Sequence, residues 1–251
     1  MERSEKQIEI RKLESHSEFV EAVKLQEAIW GFAEVDLLPV RLFVVASKIG
    51  GHSFGAFDGG RMVAFCLAIP GLKPGGQHYL HSHMLGVLAE YRNSGLGRRL
   101  KLAQRADALE EGVKLIEWTF DPLELKNAFF NIERLGAIVR RFVFNQYGTT
   151  SSPLQAGLPT DRCIAEWYVG SERVKAILGE GGHYHRPLPT ERVAIPNQIA
   201  EWKKTDPAKA REIQKEVSDA LDRHMAHGLA VIGFERSPEF GTYLLAPWHS
   251  N

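Results

Sequence analysis

Residues 81–97 read HSHMLGVLAEYRNSGLG: an apolar, strand-like run, a short elbow carrying an acid and a base, then glycines opening onto a helix. Where a loop enters a helix, the first amide N–H groups lack intrahelical partners and the dipole is positive, so an anion settles there. Gly95 and Gly97 remove the Cβ atoms that would hold an anion's oxygens away from those amides, and Arg92 adds a charge-assisted hydrogen bond. Hydrogen bonds to a charged group contribute about 1.5–3 kcal/mol each, so three or four of them anchor a pyrophosphate-bearing cofactor.

The remainder of the chain bounds what that cofactor serves. Its 251 residues suffice for one large domain or two small ones with an ample core. Thirty-one basic and 31 acidic residues cancel, and without a long basic run there is no electrostatic footprint for nucleic acid. Apolar runs such as residues 62–70 are far too short to span a bilayer, and the polar start MERSEKQ is no signal peptide. Neither nucleic acid nor membrane is therefore an expected partner, and the cytoplasm is the default compartment. Cys66 and Cys163 fall in apolar runs without metal-ligand spacing, as reduced core residues do.

Taken in order, residues 7–13 alternate as a first strand. Ser15-x-x-Glu18 has capping-box spacing, and Phe19, Ala22, Val23, Ile29 and Trp30 make a helical apolar face that ends at Gly31. A second helix opens at Pro39 and stops at Gly50-Gly51, with an acidic and aromatic linker, residues 32–38, between the two. Residues 53–57 and 61–69 are strands joined by a tight Asp58-Gly59-Gly60 hairpin. The opening stretch is the fourth strand. A helix follows over residues 96–111, with Leu96, Leu100, Ala103 and Ala106 on one face. A strand at 114–120, a helix at 125–135 closed by Gly136, and strands at 138–147 and 162–169 complete the pattern.

This order and motif together resemble the GCN5-related N-acetyltransferase (GNAT) superfamily over residues 8–169. Arg92-x-x-Gly95-x-Gly97 is similar to its Gln/Arg-x-x-Gly-x-Gly/Ala acetyl-CoA signature. Val87 stands five residues before Arg92, Glu90 and Tyr91 precede the arginine, and Arg134-Leu135-Gly136 closes the later helix. The resemblance implies an α/β fold, a mixed β-sheet flanked by helices and splayed after the fourth strand. It also implies backbone groups near Leu85, Gly86 and Val87 that bind the pantetheine arm of coenzyme A, with the pyrophosphate on the amides of Asn93, Ser94, Gly95, Leu96, Gly97 and Arg98. Arg98, Arg99, Lys101 and Arg105 are candidates for its 3′-phosphate. Asn127, two residues beyond the position at Leu125 that matches the family's helix-entry asparagine, is the remaining cofactor candidate. The acceptor enters over the first two helices, where Trp30, Phe32, Glu34 and Asp36 suit a cationic or aromatic substrate.

Such enzymes hold amine and thioester together while strand amides polarise the carbonyl. A lysine-like amine of pKa near 10.4 is neutral in only about one molecule in 2,500 at pH 7, equivalent to roughly 4.6 kcal/mol, so a base or desolvation must cover the difference. Some histone-acetylating members carry a glutamate base six residues before the position matched by Val87, which here is His81. His83, two residues on, shares its side of the strand, and imidazole suits the task. These two histidines have no Cys or acidic partner in sequence, so no metal is expected, nor at His183-x-His185. His224 and His227 near Gly228 favour a helix dipole instead.

The family's tyrosine acid, three residues before the closing Leu-Gly, is replaced by Ile132, leaving Tyr147 or Tyr168 as substitutes. Dinucleotide and Walker A fingerprints both fail, the first at Leu100 and the second at Arg98-Arg99. Residues 170–251 read as a small α+β C-terminal extension, with short elements at 172–182, 192–195 and 197–204. An Asp206-Pro207 helix then presents Ile213, Val217, Leu221 and Met225, and strands follow at 229–234 and 243–246. The extension either forms a separate lobe or continues the main sheet, completing the acceptor pocket or making a homodimer interface. The expected activity is transfer of an acetyl or short acyl group from acetyl-CoA to an amine of a small molecule or peptide. The alternative is a catalytically inactive coenzyme A-binding module or sensor.

Overall fold

The computed structural model describes residues 8–148, 155–182 and 184–248; His183 therefore lies outside the described residues. The fold is α/β, with mostly antiparallel strands flanked by helices, and it divides into two compact units that part after Ile116.

The first unit contains β1 (Glu9–Lys12), α1 (His16–Trp30), α2 (Val40–Lys48), β2 (His52–Asp58), β3 (Arg61–Leu72), β4 (His78–Val87) and α3 (Leu96–Glu110). Its strands pair antiparallel in the order β1-β2-β3-β4. Local chemistry explains the boundaries. Ser15 and Glu18 form the complete capping box, and Gly31 ends α1 in the left-handed region at φ 63°. Gly59 and Gly60, both at positive φ, make the two-residue turn between β2 and β3. Both of these strands are buried along most of their length, so they read as continuous apolar runs rather than alternating ones. Phe43, Phe65, Met62 and Leu67 fill the core beneath α1 and α2. On α3 the buried stripe runs through Leu96, Leu100, Gln104 and Ala108; Ala106, expected on it, faces outward.

The unit boundary falls inside β5 (Leu115–Phe120). The second unit continues with α4 (Leu125–Phe129), which runs into one π turn at Phe130–Arg134, then β6 (Ile138–Val143), β7 (Arg162–Tyr168) and α5 (Glu172–Leu178). After these come β8 (Glu191–Pro196), α6 (Ile199–Thr205), α7 (Pro207–Ala226), β9 (Leu229–Arg236) and β10 (Phe240–Pro247). The strand order is β5-β7-β6-β9-β10-β8. Residues on both sides of Val169 thus belong to one unit, and β9 extends the sheet by pairing antiparallel with β6 at Val139 and Val231. β6 stops at Val143 rather than 147, because Asn145 turns at φ 44° and its amide donates to Asp161 while its side chain accepts from the Thr160 amide. Buried Arg173 on α5 donates to the carbonyls of Gly136 and Ile232, supplying partners for backbone next to the π turn. Both cysteines are free and buried, with thiol pKa values pushed up by burial. Among the described residues no helix is long and apolar enough to cross a membrane.

Candidate functional site

The cofactor candidates from Leu85 to Arg98 occupy the end of β4, one tight turn at Ala89–Tyr91, and the entry to α3. Unlike α1, whose first turn is closed by Ser15, α3 starts from Gly95 at φ 81° with no side-chain cap. Asn93 is also left-handed, at φ 61°. That backbone path aims the first amides of α3 outward with their hydrogen-bonding capacity unspent on side chains. Several contacts hold the loop in this shape. The Tyr91 hydroxyl donates to Asp58 at 2.6 Å, Arg61 pairs with Glu90 at 3.2 Å, and the Ser94 hydroxyl donates to the Tyr91 carbonyl at 2.6 Å. Arg92 donates from Nε to the Val87 carbonyl at 3.2 Å and from Nη2 to the Ile29 carbonyl at 3.4 Å, so its exposed guanidinium is already aimed along the end of β4.

The three glycines of this stretch serve different ends. A Cβ on Gly95 would meet nothing within 4 Å, yet the positive φ strains any other residue except asparagine or aspartate. A Cβ on Gly97 would sit 3.5 Å from Leu85 Cδ2, an ordinary contact, so packing within the chain does not demand glycine there. On Gly86 it would lie 2.7 Å from both Ile29 and Trp30, so this glycine lets the end of α1 settle on β4.

β4 pairs with β3 through Leu67 and Met84, then Ala68 and Ser82, which leaves His83 as an extra, bulged residue without a partner in the ladder. Ser82 faces α3, where its hydroxyl receives a hydrogen bond from Lys101 at 2.7 Å and donates to Gln104 at 3.0 Å. His81 and His83 therefore project from the opposite face, with ring centroids 5.8 Å apart. Burial holds the His83 imidazole below its usual pKa of 6.5, in the neutral form at pH 7.

Lys101 corrects one expectation. It is buried rather than presented to a 3′-phosphate, and burial pulls its pKa down to about 7. Leu100 and Lys101 both fall on the buried side of α3, so the lysine shares the apolar stripe in spite of the basic residues around it. Arg99 is held by the Ile8 carbonyl at 2.6 Å.

Of the acceptor candidates, the structure brings Trp30 and Phe32 together, stacked at 5.6 Å, with Trp30 edge-on to Phe65. Glu34 and Asp36 share the single turn that follows. Sequence reasoning missed Gln26, a fully buried side chain on α1 that fixes the end of this loop: it accepts from the Leu38 amide at 2.8 Å and donates to the Leu38 carbonyl at 3.1 Å. A polar residue inside an apolar helical face was the available signal. Gln26→Ala is expected to cost about 1–3 kcal/mol by leaving two backbone groups unpaired, read by thermal unfolding, and to speed amide exchange across residues 32–38.

Asn127 lies in the second unit, exposed on α4. Ile132 is fully buried in the π turn. The Tyr147 hydroxyl is 2.9 Å from Thr119, whereas Tyr168 donates to Glu166 and accepts from Arg140, with burial and the neighbouring carboxylate pushing its pKa up to about 12. His227 caps the end of α7, its ring Nδ1 2.7 Å from the Arg223 carbonyl, in keeping with a helix-terminal role.

No curated protein matches the sequence at a significant level. Among solved structures the chain is similar to the ribosomal-protein-S18-alanine N-acetyltransferase of Escherichia coli, with 18% identity and a TM-score of 0.51 over 70% of this chain and 99% of that one. It is similar also to a GNAT-family acetyltransferase from Streptococcus pneumoniae, at 15% identity and a TM-score of 0.53 over 65% of this chain and 100% of that one. A third likeness is to Arabidopsis thaliana Naa50 in complex with the bisubstrate analogue CoA-Ac-MVNAL, at 15% identity and a TM-score of 0.50 over 63% and 97% of the two chains. At these identities the likeness is one of fold. The sequence model of the acetyltransferase (GNAT) family matches residues 10–136, just over half of the chain, and covers β1 through the π turn. The chain belongs to the acetyltransferase (GNAT) family.

Proposed function

We propose that this protein transfers an acetyl or short acyl group from acetyl-CoA to an amine of a small molecule or peptide. The observation that carries the reading is the entry to α3: amides uncapped by any side chain, a left-handed Gly95, a Gly97 that packing does not require, and Arg92 fixed beside them. These residues fit a pyrophosphate, and Asn93 to Arg98 would hold it through the backbone. Acetyl-CoA supplies the activated acyl group; the chain's part is to hold the thioester and the amine together and to accept the amine's proton. His83, neutral and set at a bulge in β4, is the favoured base, with His81 beside it. The stacked Trp30 and Phe32, with Glu34 and Asp36, are the proposed acceptor contacts. Support for coenzyme A as donor comes from family membership, and from the CoA-containing analogue bound to the plant Naa50 protein.

A second reading, a coenzyme A-binding module without turnover, is favoured by Ile132, which puts a buried apolar side chain where the family's acid would stand. Incubation of the protein with acetyl-CoA and a panel of amines, with free thiol monitored, separates the two. Acceptor-dependent thiol release supports the enzyme. Tight acetyl-CoA binding with no release for any amine supports the module, and absence of binding removes both.

A further inference from the structure

The second unit carries a polar array across three neighbouring strands, β5, β7 and β6, outside the residues assigned to cofactor and base. Arg140 is bulged in β6, since Val139 pairs with Ala165 and Arg141 with the next residue, Ile164. Consecutive strand residues ordinarily point to opposite faces, but the bulge brings both guanidiniums to the same carboxylate. Arg140 donates to Glu166 Oε2 from Nε at 2.9 Å and Nη2 at 2.6 Å, and from Nη2 to the Tyr168 hydroxyl at 2.8 Å. Arg141 donates from Nε to Glu166 Oε1 at 3.1 Å and reaches across β7 to Glu117 on β5 through Nη2.

The burial is asymmetric. The Glu117 and Glu166 side chains are 4% and 1% exposed, whereas those of Arg140 and Arg141 are 38% and 44% exposed. Burying two carboxylates is expensive, and an array serving stability alone is readily replaced by apolar side chains. Burial works against charge on both arginines, but the paired glutamates outweigh it and hold them charged. Both guanidiniums spend Nε and Nη2 within the array, and neither Nη1 has a partner among the described residues. Two neighbouring cationic groups, each locked in orientation by a buried acid and each with an unspent NH2, form a receptor for an oxyanion.

We propose that Arg140 and Arg141 bind a carboxylate of the acyl acceptor, so that the acceptor is an amine that also carries a carboxylate, as an amino acid does. The identification of the carboxylate's owner rests on the acyl-transfer reading; the anion site itself does not. A monoanion suits the array better than a phosphate dianion, because two arginines and two glutamates sum to zero and a second negative charge would face the buried acids uncompensated.

Succinate titrated calorimetrically into the wild-type protein is expected to bind with a dissociation constant in roughly the millimolar range. Arg140→Lys and Arg141→Lys keep a cation for the glutamates but lose the planar fork, so each should weaken binding by about tenfold without changing the melting temperature. No succinate binding by the wild type, or equal binding by both variants, overturns the site. With acetyl-CoA present, 4-aminobutanoate should exceed n-butylamine in kcat/KM by about tenfold or more, and the lysine variants should erase the difference through KM. Equal use of the two amines overturns the acceptor assignment. If neither amine nor any other acceptor is turned over, the acyl-transfer reading fails, and succinate binding still decides the anion site.

Discussion

Gly95→Asp is expected to abolish the rise in melting temperature that acetyl-CoA gives the wild-type protein, while Gly95→Asn keeps most of it. The pair isolates charge. Both residues are among the few that tolerate the left-handed region, and a side chain at this position projects into open space, so both variants should fold with a similar loss of stability, about 1 kcal/mol. Aspartate places a carboxylate over the amides at the positive end of α3, where it satisfies the donors meant for the pyrophosphate and repels it. Two displaced charge-assisted hydrogen bonds correspond to about 3–6 kcal/mol, or at least a hundredfold in affinity, whereas the neutral asparagine should cost no more than about tenfold. The readout is thermal shift and calorimetry with acetyl-CoA. Equal affinity of the two variants would mean that the cofactor's phosphates do not sit on α3.

What the sequence discloses here and what it hides follow from the range of the interactions involved. Capping at Ser15, the hairpin at Gly59-Gly60 and the glycine elbow at 92–97 are local, each settled by residues within about five positions of one another, and each could be read directly. The clamps that hold the elbow are not local. Asp58 reaches Tyr91 from a hairpin 33 positions away, and Gln26 binds Leu38 across 12. The face of His81 and His83 was legible from alternation alone, but the bulge that sets His83 apart depends on register with β3, which no single strand reveals. Lys101 shows the same limit in another form: a lysine in a basic helix start reads as solvated until the partner strand brings Ser82 to it. The placement of residues 170–248 in one unit with 117–148 depends on the pairing of β9 with β6, 92 positions apart at Val139 and Val231.

His83→Ala should lower kcat/KM for a lysine-like amine by about 10²–10⁴-fold near neutral pH while acetyl-CoA affinity stays within about twofold. The pH profile gives the sharper test. A base that accepts the proton of the ammonium form makes the rate depend on neutral His83 together with protonated amine. Burial places the His83 pKa below 6.5, so wild-type kcat/KM should rise with pH up to that lowered value and then stay level until the amine itself titrates near 10.4. Without the base only free amine reacts, so the variant should keep climbing throughout and approach the wild type at high pH. His81→Ala, if His81 serves only as a neighbour, keeps the wild-type plateau; a climbing profile in His81→Ala and a plateau in His83→Ala would exchange their roles. The acid limb must be separated from unfolding, and the sign is fixed by the same shift. With the folded pKa below the unfolded value of about 6.5, the unfolded chain binds the proton first as pH falls, so the stability contributed by neutral His83 is complete above 6.5 and drains away from there down to the folded pKa. Circular dichroism across that window therefore accompanies the kinetics. A loss of helical signal parallel to the loss of rate would assign the limb to unfolding, whereas an intact fold with falling rate assigns it to the base.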